Sequence, residues 1–219
     1  MNRKRRMTSI FRLFLLAVSW VVFAGILLLN AVPKVLLLDG LLSGWGLFLV
    51  AEEVREGVLD VELRGVRILR GGKEVVRFDR LNLGLSVSGV LVRGFCGEGR
   101  ADLLVSPFGS PVVKVKRFPC VRDVSLVEAD LTLGDGLRGV MTAEGLKVRG
   151  VNLDRLDLRF EGERFRGRVV SSGMELRGGG SLRINPNDIT SSTVEGTFRG
   201  EGITLFVRGE IGKLSVLVR

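Results

Sequence analysis

Residues 57–88 read GVLDVELRGVRILRGGKEVVRFDRLNLGLSVS. Leu59, Val61 and Leu63 alternate with Asp60, Glu62 and Arg64. Gly65 then shifts the phase so that Val66 and Ile68 take over, as a bulge would do. Arg70-Gly71-Gly72-Lys73 has the composition of a turn. Beyond it Leu81, Leu83, Leu85 and Val87 alternate with Arg80, Asn82, Gly84, Ser86 and Ser88. Side chains two apart fall on one face of a strand, so each segment has one apolar and one wet face. Parallel strands are apolar on both faces, so this pattern predicts antiparallel sheet.

The same period continues toward the C-terminus. Val127, Ala129, Leu131 and Leu133 alternate with Glu128, Asp130 and Thr132, and Leu156, Leu158 and Phe160 with Asp157, Arg159 and Glu161. Met174, Leu176, Leu182 and Ile184 share a phase through Gly178–Gly180. Ile203, Leu205 and Val207 precede a final segment carrying Leu214, Val216 and Val218. Arg55-Glu56-Gly57, Asp135-Gly136 and Asn185-Pro186-Asn187-Asp188 read as further turns. The 30 glycines are spread through this part and mark turns and bulges rather than a linker. The reading is mainly β, with residues 47–219 as one antiparallel meander of about a dozen strands. Either a curved open sheet or a sandwich would satisfy the pattern, since both need one apolar face per strand.

Upstream the period changes. Leu13–Leu29 reads LFLLAVSWVVFAGILLL, with Ser19 as its one polar residue. At about 1.5 Å per residue it covers roughly 26 Å, near the lower end for crossing a bilayer. Pro33 ends the helix. A cleaved secretory signal would place a small residue where Leu29 stands, so the reading is an uncleaved anchor. Arg3, Lys4, Arg5, Arg6 and Arg12 precede the span and hold the N-terminus in the cytoplasm by the positive-inside rule. The expected organisation is a cytoplasmic tail over 1–12, a transmembrane helix over 13–32, a short juxtamembrane helix or loop over 33–46, and a periplasmic β domain over 47–219. The localisation is a bacterial inner membrane, crossed once.

This placement also explains the charge. The chain carries 33 basic and 24 acidic residues. Six of the basic ones lie in residues 1–34, where no acidic residue occurs, leaving 27 against 24 in the rest. There the two signs are interspersed, as on a solvated surface. No basic stripe with interleaved aromatics is present, which argues against nucleic acid as a partner. The chain lacks His, Tyr and Gln while Arg and Glu abound, a thermophile tendency.

Cys96 and Cys120 are the two cysteines. On the oxidising side of a membrane they are a disulfide candidate, worth on the order of 3 kcal/mol in the chain-entropy model. Two unrelated buried thiols is the alternative. Two cysteines without histidine do not make a usual zinc site, and the lack of histidine removes most triad and acid–base schemes. The carboxylates sit in turns or in the polar phase of strands; Asp123 and Asp154 are the least explained. Gly178-Gly179-Gly180 lies between two alternating stretches rather than before a helix, so it reads as a bulge or close strand approach, not a phosphate loop. No enzyme, cofactor or metal is expected.

A basic tail, one span and a periplasmic meander resemble the AsmA-like proteins and the type II secretion system protein N family. Gly57–Ser88, with Phe78-Asp79-Arg80-Leu81-Asn82-Leu83 as its last element, is similar to the first repeat of such proteins. Gly173–Gly200, GMELRGGGSLRINPNDITSSTVEGTFRG, looks like the C-terminal section of protein N. The narrower resemblance implies an accessory, non-enzymatic role in an envelope-spanning secretion machine, with other envelope secretion components as partners. The broader one, together with the architecture of lipopolysaccharide-export partners, implies a β-groove that shields lipid acyl chains.

Overall fold

The computed structural model describes residues 42–43, 46–86, 89–148, 151–185 and 191–219. The basic tail, the expected span, most of the juxtamembrane stretch and Pro186–Asp188 lie outside the described residues. Among the described residues, no helix is long and apolar enough to cross a membrane.

Among the described residues, fifteen strands form one antiparallel sheet. They are β1 (Leu47–Val50), β2 (Glu53–Glu56), β3 (Asp60–Arg70), β4 (Lys73–Ser86), β5 (Gly89–Cys96), β6 (Gly99–Val105), β7 (Val112–Phe118) and β8 (Leu126–Gly134). Then come β9 (Gly136–Val148), β10 (Val151–Gly162), β11 (Arg164–Ser171), β12 (Met174–Arg183), β13 (Thr193–Gly200), β14 (Ile203–Glu210) and β15 (Ser215–Val218). Each strand from β3 to β15 pairs with its sequence neighbours, while β1 and β2 pair in succession along the outer side of β3. The count exceeds a dozen, and in four of the strands that the sequence did not single out, glycine takes an inward position: Gly94 in β5, Gly139 in β9, Gly167 in β11 and Gly196 in β13. At those places the hydrophobic alternation reads as broken although the strand continues.

The phase shift at Gly65 has a different cause from a one-sided bulge. Arg64 pairs with Arg80 and Val66 with Phe78, so the register runs unbroken past Gly65, and its actual shift falls between Ile68 and Leu69. Both strands turn over together at Gly65 and the facing Asp79. Gly65 has φ +58°, a left-handed conformation that glycine adopts without a Cβ penalty. The same device recurs at Gly145 (φ +61°) in β9, flanked by the pairs Glu144–Arg155 and Leu146–Leu153, so that Asp154 faces it. In both cases the carboxylate accepts a backbone N–H from the second turn downstream, Gly97 to Asp79 and Ser172 to Asp154, each at 2.7 Å and eighteen residues apart. The two copies are visible in the chain as Phe78-Asp79-Arg80-Leu81-Asn82-Leu83 and Leu153-Asp154-Arg155-Leu156-Asp157-Leu158. The fold therefore contains a repeated β-unit.

Cys120–Ser125 stitches the two units together. On one side, Arg77 N–H donates to the Cys120 carbonyl and Arg122 N–H to that of Val75, in β4. On the other, Lys147 N–H donates to the Asp123 carbonyl and Ser125 N–H to that of Glu144, in β9. This strap crosses the ends of β5 to β8 at the rim where β1 begins. Asp123 holds φ +60° within it.

Two groups of buried side chains lie on the apolar face. Val61, Leu63, Val66 and Leu81 form the first, in β3 and β4. The second spans β9 to β14 around Phe160, Phe165 and Phe198, whose rings lie 6.2 and 6.3 Å apart in succession. Each buried ring contributes about 1.5–3 kcal/mol by leaving water. Glycine makes the room: a Cβ on Gly196 would stand 2.8 Å from the Phe165 ring.

Candidate functional site

The register fixes which side chains stand side by side across the sheet. One row runs Val61, Leu83, Val92, Leu103, Val113, Leu131, Gly139, Phe160, Phe165, Gly180, Gly196, Val207, Val216. The row beside it runs Leu63, Leu81, Gly94, Ala101, Val115, Ala129, Met141, Leu158, Gly167, Gly178, Phe198, Leu205, Val218. Thirteen consecutive strands thus place no polar side chain in either row. At about 4.8 Å per strand the rows extend roughly 58 Å. An isolated strand of this sequence shows only its own alternation; the alignment of all thirteen comes from the short hairpins.

Burial along the rows is uneven. The β3–β4 end and the β9–β14 end are packed, whereas Ala101, Leu103, Val113, Val115 and Ala129 in β6 to β8 are only half-buried. Several of these are small, which leaves the middle of the face short of side-chain volume. At the rim opposite the strap, Leu59, Leu85 and Val105 of the same face are exposed, and Phe108 stands out in the turn beyond β6.

The other face is charged. Its central row reads Glu62, Asn82, Arg93, Asp102, Lys114, Asp130 from β3 to β8. Asp157 receives hydrogen bonds from Arg168 (2.8 Å), Arg155 (2.9 Å) and Thr142 (3.0 Å). Partial burial pushes its carboxyl up, but those three donors outweigh burial and hold it below the ordinary value. The Arg64 hydrogen bond likewise lowers Glu62. Neighbouring opposite charges of this kind solvate and align a sheet face. Among the described residues, no group of three or more His, Cys, Asp or Glu could hold a metal ion.

Cys96 and Cys120 are joined as a disulfide, with Cα atoms 6.2 Å apart. The bond ties the buried end of β5 to the strap. Arg3, Lys4, Arg5, Arg6 and Arg12 lie outside the described residues. Asp154 is the turn-capping carboxylate described above, and Asp123 pairs with Arg122 at 3.4 Å. Gly178–Gly180 runs through β12 in register, and a Cβ on Gly178 or Gly180 would collide with the carbonyl of Thr197 or Glu195, a close strand approach. The Asp-Arg-Leu-x-Leu repeat, 75 residues apart, was the signal in the chain for the paired kinks.

No family model matches the chain, and no solved structure matches it significantly. A protein of Aquifex aeolicus (strain VF5), described as "Uncharacterized protein", is 35% identical over 223 residues, covering 100% of both chains. The chain belongs to the family that includes this Aquifex aeolicus protein.

Proposed function

We propose that this is a non-enzymatic, inner-membrane-anchored envelope protein whose sheet curves into a groove shielding lipid acyl chains. The observation that carries the reading is the pair of unbroken apolar rows across thirteen strands, opposite a face of interleaved charges. A compact core needs apolar side chains concentrated where layers meet; a continuous stripe with a half-buried middle suits a flexible apolar chain lying across the strands. Fully burying each methylene of such a chain contributes about 0.8 kcal/mol, so affinity accumulates along its length without any specific polar contact. The anchor, read from Leu13–Leu29, would hold the groove at the membrane that supplies the lipid. Native mass spectrometry of the full chain, released gently from its own membrane, tests this. Bound phospholipid or glycolipid supports it, and a lipid-free chain under conditions that preserve known lipid carriers contradicts it.

The likeness of Gly57–Ser88 and Gly173–Gly200 to protein N favours a second reading, an accessory component of a type II secretion system. Deleting the gene would then impair release of exported enzymes. Unchanged release rules it out.

A further inference from the structure

We infer that copies of this chain join edge to edge, β15 of one against β1 of the next, extending one sheet through several molecules. Among the described residues the sheet order ends at β15 on one side and at β1 on the other, where the largely charged β2 continues the edge along β3. Most interior strands set an apolar face against a polar one, with Leu91, Leu104, Val140 and Phe206 as apolar residues on the polar side; β1 is apolar on both faces, and β15 carries Leu217 beside Ser215 on its outer face. Leu47 and Leu49 lie on the inner face of β1, with Phe48 (52% exposed) and Val50 (39%) on the outer. In β15, Val216 and Val218 are on the inner face and Leu217 (65% exposed) on the outer, beside Phe206. Apolarity on both faces belongs to strands with neighbours on every side, and exposed apolar edges are otherwise sites of uncontrolled pairing.

Three features select a second copy as the occupant. The path from β1 to β15 contains fourteen strands, all antiparallel to their neighbours, so the end strands run in opposite directions. Two copies standing the same way up therefore present β15 and β1 in antiparallel orientation with their apolar faces on the same side. Charge agrees as well: in this antiparallel orientation Lys213, just before β15, comes beside Glu52, just after β1, and residues 211–219 carry no acidic side chain. Lastly, Phe48 and Val50 would meet Leu217 and Phe206 on the outer face, and Leu47 and Leu49 would meet Val216 and Val218 on the inner. The contact is heterologous, one edge with the other, so it repeats from copy to copy. It does not depend on whether the groove holds lipid.

Cysteine placement tests this in full-length protein in its own membrane, treated with a short bis-maleimide that leaves the Cys96–Cys120 disulfide intact. Phe48→Cys and Leu217→Cys co-expressed should give a cross-linked dimer, each alone should give none, and the double variant in one chain should give a ladder of dimers and higher species. Adding Val50→Lys to the double variant, a surface change that leaves the β circular-dichroism signal intact, should abolish the ladder. Three outcomes overturn the inference: no cross-link between chains, Phe48→Cys joining to itself, or the double variant cross-linking within one chain, which would mean the sheet closes on itself.

Discussion

Removing the Cys96–Cys120 bond should loosen one rim of the sheet by a calculable amount. The cysteines are 24 residues apart. Closing a loop of that length removes about 12 cal/mol/K from the unfolded chain, which is about 3.5 kcal/mol at 25 °C. In urea, with a slope of about 2–3 kcal/mol/M, the unfolding midpoint of Cys96→Ala/Cys120→Ala in detergent should fall by about 1–2 M. Reduced wild-type protein should show the same fall, since it keeps every atom of the native core. The effect should also be local. The strap Cys120–Ser125 holds β4 and β9 together through the amides of Arg77, Arg122, Ser125 and Lys147. Their hydrogen exchange should accelerate in the variant by more than that of amides in β12 to β14, which feel only the fall in global stability. A midpoint shift below about 0.3 M at unchanged slope, or unaltered exchange at those four amides, would refute the role given to the bond and the strap.

Gly178→Ala should destabilise by about 2 kcal/mol or more, because its Cβ would strike the Thr197 carbonyl; Gly84→Ala, whose nearest obstacle is 4.0 Å away, should shift the urea midpoint hardly at all. Asp79→Ala and Asp154→Ala should each cost about 1 kcal/mol, and each should speed exchange at its own partner, Gly97 or Ser172. Equal costs would agree with the repeated unit; loss at one site alone would not. Asp157 has a lowered carboxyl pKa, so below its unfolded value near 4 the unfolded chain binds the proton more readily. Its contribution is complete above about pH 4 and disappears as pH drops through the lower folded value. Asp157→Asn should therefore flatten the acid limb of a stability–pH curve while leaving its slope near neutrality unchanged; an unaltered acid limb would contradict the stabilising role given to the Arg155, Arg168 and Thr142 hydrogen bonds.

The antiparallel class was legible because the alternation at Leu81–Leu85, Val127–Leu133 and Leu156–Phe160 is strict. Of the strands the alternation did not single out, β5, β9, β11 and β13 carry Gly94, Gly139, Gly167 and Gly196 at inward positions, while β1, β2, β6 and β7 are short. A hydrophobic pattern cannot distinguish a glycine that makes room for Phe78 or Phe165 from one that ends a strand. The kink at Gly65 announced itself as a change of phase, but its partner Asp79 did not, because a single strand carries no information about what faces it. Asp154 looked unexplained for the same reason; its role depends on a turn eighteen residues downstream. The two apolar rows were half-visible: each strand showed its own apolar side, and only the hairpin register aligned thirteen of them. The strap could not have been read at all, since its hydrogen bonds join β4 to β9 across the ends of four intervening strands.

The central proposal, that acyl chains lie along the apolar face, is tested most directly at two adjacent residues. Val113 points into the apolar row and Lys114 into the charged one. A photoreactive side chain placed at 113 in the full-length protein, activated in its own membrane, should attach to lipid; the same group at 114 should not. Attachment of lipid at 113 alone is the result the groove requires. Equal labelling at both positions, or no lipid adduct at 113, would contradict it.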